Sequence, residues 1–395
     1  MKKLFQTKYL TMLCFLILLA VMFVRSIIPA GIGIISAGST FLNTGKLDFS
    51  SVESIYNERF EGKYWFITLN GAIQKILGAR VVNERYQLDN GHLTYIIDEY
   101  DMDSIAQNTV AFRDALEEQD IPMVYVNTPF KIHQTDKQLP TGVEDHSNEN
   151  ADRFLAHLRE ENVTVLDLRE IIAAEQLDHY DMFYKTDHHW KAESGLWAAE
   201  EITEFLSGWN ADYTVKEGLW EPSAYTFEMH EDIFLGSAGK RVGCIYSGMD
   251  DFTVITPNFE TEFSFSANDG QVTREGSFSD VFIVRDLLYS GDDFSSSVYS
   301  TYCGSAYGHI EIRNTQTGPN RSCTDKKILI IRDSFSDVLV PFLSLGYGEL
   351  DVIDLRAFRQ DLMAYLEKSD PDLVLFVYNP GAYEINNTNM FEFFR

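Results

Sequence analysis

The chain has 395 residues, 45% apolar and 23% charged, which is ordinary for a globular protein and enough to bury at least one large core. Thirty-two basic residues against sixty acidic ones leave a net charge of −28. That field argues against nucleic acid as a partner and, more weakly, against a strongly acidic substrate. Of four cysteines, Cys14 lies in the N-terminal apolar segment, and Cys244, Cys303 and Cys323 show no zinc-like spacing. Cys303–Cys323 is one candidate disulfide.

Met1-Lys2-Lys3 and Lys8 precede an uncharged run, Tyr9–Val24, which Arg25 closes. A bilayer core takes about 20 apolar residues, and snorkelling by Lys8 and Arg25 makes up the shortfall. Two readings compete, a cleaved signal peptide and an uncleaved anchor. The apolar run is longer than a usual signal-peptide core and no A-x-A site follows, which favours the anchor. Its basic end then stays inside and the remainder is exported. Residues 1–38 are therefore expected to form a single-pass transmembrane anchor, and 39–95 a connecting region. The connecting region carries helix-spaced apolar residues at Val52–Phe60 and Ile67–Leu77 and a strand near Leu93–Ile97.

From Ser104 the pattern alternates. Ile105, Thr109, Phe112 and Leu116 make a one-sided helical stripe, and Ile121–Asn127 reads as a buried strand. Asn150–Glu160 is helical, Val163–Leu168 a strand and Arg169–Gln176 a short helix. After a loop at 185–190, Gly195, Ala198, Ile202 and Phe205 mark another helix. Strands alternating with helices predict a parallel α/β sheet, with sites at the carboxyl ends of its strands.

Between 219 and 325 the pattern turns β-rich, with strands predicted at Asp251–Thr256, Glu262–Ser266, Val281–Val284, Val298–Tyr302 and His309–Ile312. Alternation then returns: strand Lys327–Arg332, helix Phe335–Leu345 interrupted by Pro341, strand Leu350–Leu355, helix Phe358–Leu366, strand Leu373–Tyr378. The α/β domain is thus split into 96–218 and 326–395, with 219–325 as a β-rich insertion.

Two stretches carry chemistry. Thr186-Asp187-His188-His189-Trp190 sets a carboxylate beside two imidazoles in a chain with nine histidines. Ser334 directly follows the strand 327–332 and precedes a helix, where backbone N–H groups can stabilise an oxyanion. A serine needs a base to become a nucleophile, and the base needs a carboxylate to fix its tautomer. Asp187 and His189 supply both. The bland alternatives are a serine that caps a helix and a loop whose histidines cap and whose Trp190 packs. Metal ligation by Asp187, His188 and His189 is a third option, weakened because adjacent residues seldom converge on one ion and no outside ligand is evident. No metal and no cofactor is expected.

The same residues resemble the DHHW family and, more broadly, the SGNH-like acetyltransferase/esterase domains of the AlgJ and AlgX type. The carriers are Thr186–Trp190, Leu329–Phe335, Val340–Leu343 and Val352–Arg356. The resemblance implies a three-layer α/β/α SGNH-hydrolase-like fold with permuted motif order. It implies a triad of Asp187, His189 and Ser334. It also implies Arg356 and Lys131 as substrate contacts, Asn127 as a candidate oxyanion donor, and His188 near the substrate without a triad role. Pairing with Asp354 or another acid is the equal alternative for Arg356. Arg332 stands where SGNH enzymes carry glycine. The expected activity is O-acyl transfer to, or ester hydrolysis on, a cell-surface or extracellular polysaccharide. A transferase would need a membrane-bound O-acyltransferase as partner to deliver acyl groups. The alternative is a non-catalytic carbohydrate-binding or assembly module.

Overall fold

The computed structural model describes residues 62–304, 307–318, 321–384 and 389–394, with scattered residues between 9 and 42. The chain divides into two compact units, Met1–Ala72 and Ile73–Arg395; the sheet and the site belong to the second. The expected membrane segment and the helix expected at Val52–Phe60 lie wholly or partly outside the described residues. Among the described residues no helix is long and apolar enough to cross a membrane.

A helix, Lys63–Ile76, is followed by three short strands, β1 (Val81–Val82), β2 (Arg85–Gln87) and β3 (Leu93–Thr94). The main sheet then assembles from β4 (Met123–Asn127), β5 (Thr164–Asp167), β8 (Phe263–Ala267), β9 (Val272–Gly276), β10 (His309–Asn314), β11 (Thr324–Arg332), β12 (Tyr347–Ile353) and β13 (Leu373–Tyr378). Its order is β5-β4-β13-β11-β12-β10-β8-β9. The first five strands are parallel and the last three join antiparallel. β6 (Tyr225–Phe234) and β7 (Asp250–Pro257) form a separate antiparallel pair.

The period-2 geometry of a strand explains the three layers. In β11, Ile328 and Ile330 face one core and Leu329 and Ile331 the other. The first core is closed by helices Ala192–Trp209 and Val340–Gly346 together with the insertion. The second is closed by helices Asp103–Glu117, Ser147–Glu160 and Leu362–Ser369 and by the C-terminal Met390, Phe391 and Phe393. Because both faces of β11 and β13 are covered, their sequences are apolar runs rather than alternations.

The insertion extends the sheet instead of standing beside it. β10 pairs with β12 in register Ile310↔Val352, and β8 and β9 follow outward. Two expected strands are not strands. Phe278–Phe282 is a helix, opened by a capping box of Ser277 and Asp280, and Val298–Thr301 is a 3-10 turn. β6 lacks a predicted counterpart; most of its side chains are exposed or half-buried, so its apolar signal is weak. Pro341 does not interrupt a helix. It lies in the first turn of Val340–Gly346, where its missing N–H costs nothing. Cys244, Cys303 and Cys323 are free thiols.

Candidate functional site

β11 delivers Arg332 and Asp333 to the carboxyl end of the sheet, and Ser334 opens the 3-10 turn Ser334–Val338. Asp333 caps that turn. Its Oδ1 accepts the Phe335 N–H at 2.9 Å and its Oδ2 the Asn379 N–H at 2.7 Å, so the turn is tied to the end of β13. Arg332 is buried and turns inward, donating to Asp337 Oδ1 at 2.6 Å. A bulky residue is therefore accommodated at this position because its charge is paired inside the fold.

The Asp187–Trp190 loop lies against this turn. His189 Nδ1 is 2.6 Å from Asp187 Oδ1, and His189 Nε2 is 2.7 Å from Ser334 Oγ. The three predicted residues thus form one continuous hydrogen-bonded chain. Asp187 Oδ1 also accepts the His189 N–H at 2.9 Å, and Oδ2 accepts the Ser237 N–H at 2.5 Å. Burial opposes the carboxylate charge, but His188, His189 and the Ser237 N–H outweigh it and hold Asp187 well below its ordinary value. Trp190 is fully buried and donates Nε1–H to the Phe335 carbonyl at 2.8 Å, so the two motifs are joined a second time. Gly195, on the helix after the loop, has Val338 so close that a Cβ would meet its Cγ2 at 2.9 Å.

The atoms that a cation held by Asp187, His188 and His189 would need lie within 4.8 Å of one another. Those of Asp187 and His189 are already engaged with each other, with Ser237 and with Ser334.

The other predicted contacts divide. His188 is half-buried; its Nδ1 meets Ser237 Oγ at 2.9 Å and its ring lies 3.8 Å from that of His189. Burial, with the neighbouring His189, pulls its pKa down to about 3, so the ring is neutral at ordinary pH. Arg356 forms a bidentate pair with Asp354, at 2.9 and 2.7 Å, and its charge also acts on Asp333. Lys131 is not open to a substrate. It is buried, and its Nζ lies 2.7 Å from the carbonyl of Leu93, 2.6 Å from Tyr184, 3.0 Å from Lys185 and 2.6 Å from Asp187. Burial pulls its pKa down to about 7, against the pull of Asp250 and Asp187. Asn127 is also buried, with Nδ2 donating to Asp167 Oδ1 at 2.9 Å, so its amide is engaged at the end of β4.

Four residues of the insertion complete the site without having been predicted. Asp250 accepts the N–H groups of Lys185 and Thr186, both at 2.7 Å, and the Thr186 hydroxyl at 2.6 Å. Gly236 packs so tightly that a Cβ would stand 2.6 Å from Asp187 Cα. Ser237 holds Asp187 and His188, as above. Tyr299 lays its ring parallel to His189, 4.1 Å between centroids and 13° between planes. Its hydroxyl is buried and makes no hydrogen bond among the described residues. Gly236-Ser237 after an aromatic-rich strand is a faint sequence signal; Asp250 and Tyr299 have none.

Residues 98–222 match the family model described as "SGNH hydrolase-like domain, acetyltransferase AlgX". That stretch contains the Asp187–Trp190 motif and ends before Ser334. Among solved structures, PatB1 of Bacillus cereus is similar with a TM-score of 0.62 and 21% identity, over 77% of this chain and 98% of that one. The same protein has been solved with a sulfonyl adduct, with a TM-score of 0.61 and 20% identity over 78% of this chain and 99% of that one. A DHHW family protein from Eubacterium siraeum gives a TM-score of 0.59 and 20% identity, over 78% of this chain and 95% of that one. These likenesses are of fold; the DHHW protein and the AlgX family model are ones that the sequence resemblance names. A search of curated proteins returns no match.

Proposed function

We propose that the chain is an exported, membrane-anchored O-acyltransferase or esterase of the SGNH type, acting on a cell-surface or extracellular polysaccharide through Ser334, His189 and Asp187. The single observation that carries this reading is His189 bonded on one side to Asp187 at 2.6 Å and on the other to Ser334 at 2.7 Å. Both distances are within the reach of general-base catalysis.

In this mechanism Ser334 Oγ attacks the carbonyl carbon of an acyl ester while His189 Nε2 takes the hydroxyl proton. Asp187 holds Nδ1–H and stabilises the imidazolium that forms. The tetrahedral intermediate collapses, His189 returns its proton to the leaving alkoxide, and the acyl group remains on Ser334. A sugar hydroxyl or water then attacks that ester. His189 removes the attacker's proton and gives it back to the Ser334 oxygen as the acyl group departs. Trp190, Lys131 and Asp250 hold the loop at the geometry this relay needs. His188 and Arg356 are the groups of the predicted set left to meet substrate, whereas Lys131 and Asn127 serve the frame. The sulfonyl adduct of the similarly folded PatB1 fits the reading, since sulfonylation is a reaction of activated nucleophiles.

Residues Tyr9–Val24 cross the bilayer in this reading and leave the α/β domain outside. Acyl groups for a transferase then come from a membrane-bound O-acyltransferase, and an esterase needs no such partner. The test is acetyl-ester turnover by the purified full chain. Ser334→Ala should reduce it at least about 10³-fold; unchanged turnover would defeat the assignment. Glycan binding without turnover in the wild type would favour the binding-module alternative.

A further inference from the structure

The helix Lys63–Ile76 carries an exposed apolar face. Its exposed positions include Trp65, Phe66, Leu69, Ile73 and Ile76, and Leu77 continues them, with Trp65 59%, Ile76 85% and Leu77 71% exposed. At 100° per residue these side chains share one arc about a third of the helix circumference wide. The polar Asn70 and Gln74 lie outside that arc and are half-buried. A soluble helix places its apolar stripe inward and its polar face outward, so this face is built for a non-aqueous neighbour.

Charge says which neighbour. From Gly62 to Ala79 the sequence has no Asp or Glu, but it has Lys63 and Lys75, both exposed, in a chain of net charge −28. An apolar arc flanked by lysines with a tryptophan near its start is the composition of a helix lying in a membrane interface. An acidic protein surface elsewhere on the chain is repelled by anionic lipid; this segment is attracted.

We infer that the Trp65–Leu77 face is a lipid-binding surface that seats the helix in the headgroup region of the same membrane the N-terminal segment crosses. This rests on the reading of residues 1–38 as an uncleaved anchor. The anchor holds the chain at the bilayer and raises the local concentration of lipid that the helix meets. The occupant of the face is therefore a bilayer surface with anionic headgroups.

The test uses the full chain reconstituted in phosphatidylglycerol/phosphatidylethanolamine liposomes with ordinary or brominated acyl chains. Tryptophan emission of the wild type is compared with that of Trp65→Phe, and the difference gives the Trp65 share. An interfacial helix seats its apolar face about 5–10 Å into the headgroup/acyl boundary, so brominated lipid should cut the Trp65 share at least about twofold. Leu69→Glu with Ile73→Glu should abolish that quenching and leave the protein resistant to alkaline carbonate extraction, since the anchor is untouched. Carbonate-resistant protein with unquenched Trp65 overturns the inference and leaves the anchor standing; shielding of that Trp65 from aqueous iodide would assign the face to a protein. Quenched Trp65 in protein that carbonate extracts removes the anchor reading and keeps the lipid surface. A chain that does not float with liposomes overturns both.

Discussion

The ammonium of Lys131 lies 2.6 Å from the backbone carbonyl of Asp187, the residue that orients His189. The same Nζ reaches the carbonyls of Tyr184, Lys185 and Leu93. One buried cation thus gathers three carbonyls of the site loop and one of β3. A peptide loop that turns its carbonyls inward needs such a donor, because buried acceptors left unpaired cost about 1–3 kcal/mol each.

Lys131→Met should therefore destabilise the α/β domain by several degrees in Tm, on the basis of about 2–4 °C per kcal/mol for a domain of somewhat smaller size. Activity should fall with it, mainly in kcat, because the variant loosens Asp187 without touching a substrate group. A large rise in KM with unchanged Tm would instead restore the substrate-contact reading. Thermal unfolding and steady-state kinetics on the same preparation decide this.

Tyr299 stacks on the base from the insertion side. Its ring fixes the plane of His189. Tyr299→Leu should lower kcat/KM about tenfold, in line with the ~0.5–1.5 kcal/mol an aromatic pair is worth. Tyr299→Phe should keep most of the activity. If the Phe variant were as impaired as the Leu variant, the unpartnered hydroxyl, not the ring, would be the acting group.

Gly236 is fixed by space, not by backbone conformation, since its φ is −70°. Gly236→Ala drives a methyl group into Asp187 and should cost about 1–3 kcal/mol. It should also displace the Asp187 carboxylate from the Ser237 N–H. Chemical denaturation reads the first effect, and loss of turnover reads the second. A variant with full stability and activity would mean that the loop yields.

The pH dependence separates the two histidines. His188, with its pKa pulled down to about 3, stays neutral through the working range. The acid limb of kcat/KM should therefore carry no contribution from His188. His188→Gln should leave that limb in place. A limb that vanished in this variant would move the base to His188. For stability the sign runs the other way round from a raised group. Asp187 has a folded value below its ordinary 3.8, so its contribution is complete above 3.8 and is lost as pH falls towards the folded value. The stability gap between wild type and Asp187→Asn should narrow on acidification below about pH 4.

The parallel part of the sheet was legible because its strands are buried on both faces: Ile121–Asn127 and Leu373–Tyr378 are apolar runs between amphipathic helices. Asp187, His189 and Ser334 were legible because their residue types are rare together and Ser334 ends a strand. What escaped was set by tertiary contact. Lys131 reads as a loop lysine until four carbonyls close on it. Asn127 ends a strand at the correct end of the sheet but bonds sideways to Asp167. The 3-10 turn at Val298–Thr301 looks like a strand by its β-branched and aromatic residues, yet only the turn brings Tyr299 over His189. The insertion's membership in the main sheet depends on β10 pairing with β12, a long-range choice that local pattern does not encode.

The central claim is that Asp187 and His189 make Ser334 a nucleophile. Its most direct measurement is peptide mapping by mass spectrometry of the full chain after reaction with a fluorophosphonate. One adduct is expected, on Ser334, lost in Ser334→Ala and strongly slowed in His189→Ala and Asp187→Asn. An unlabelled wild type, or labelling of Ser334 at the same rate in all of the His189 and Asp187 variants, would contradict it.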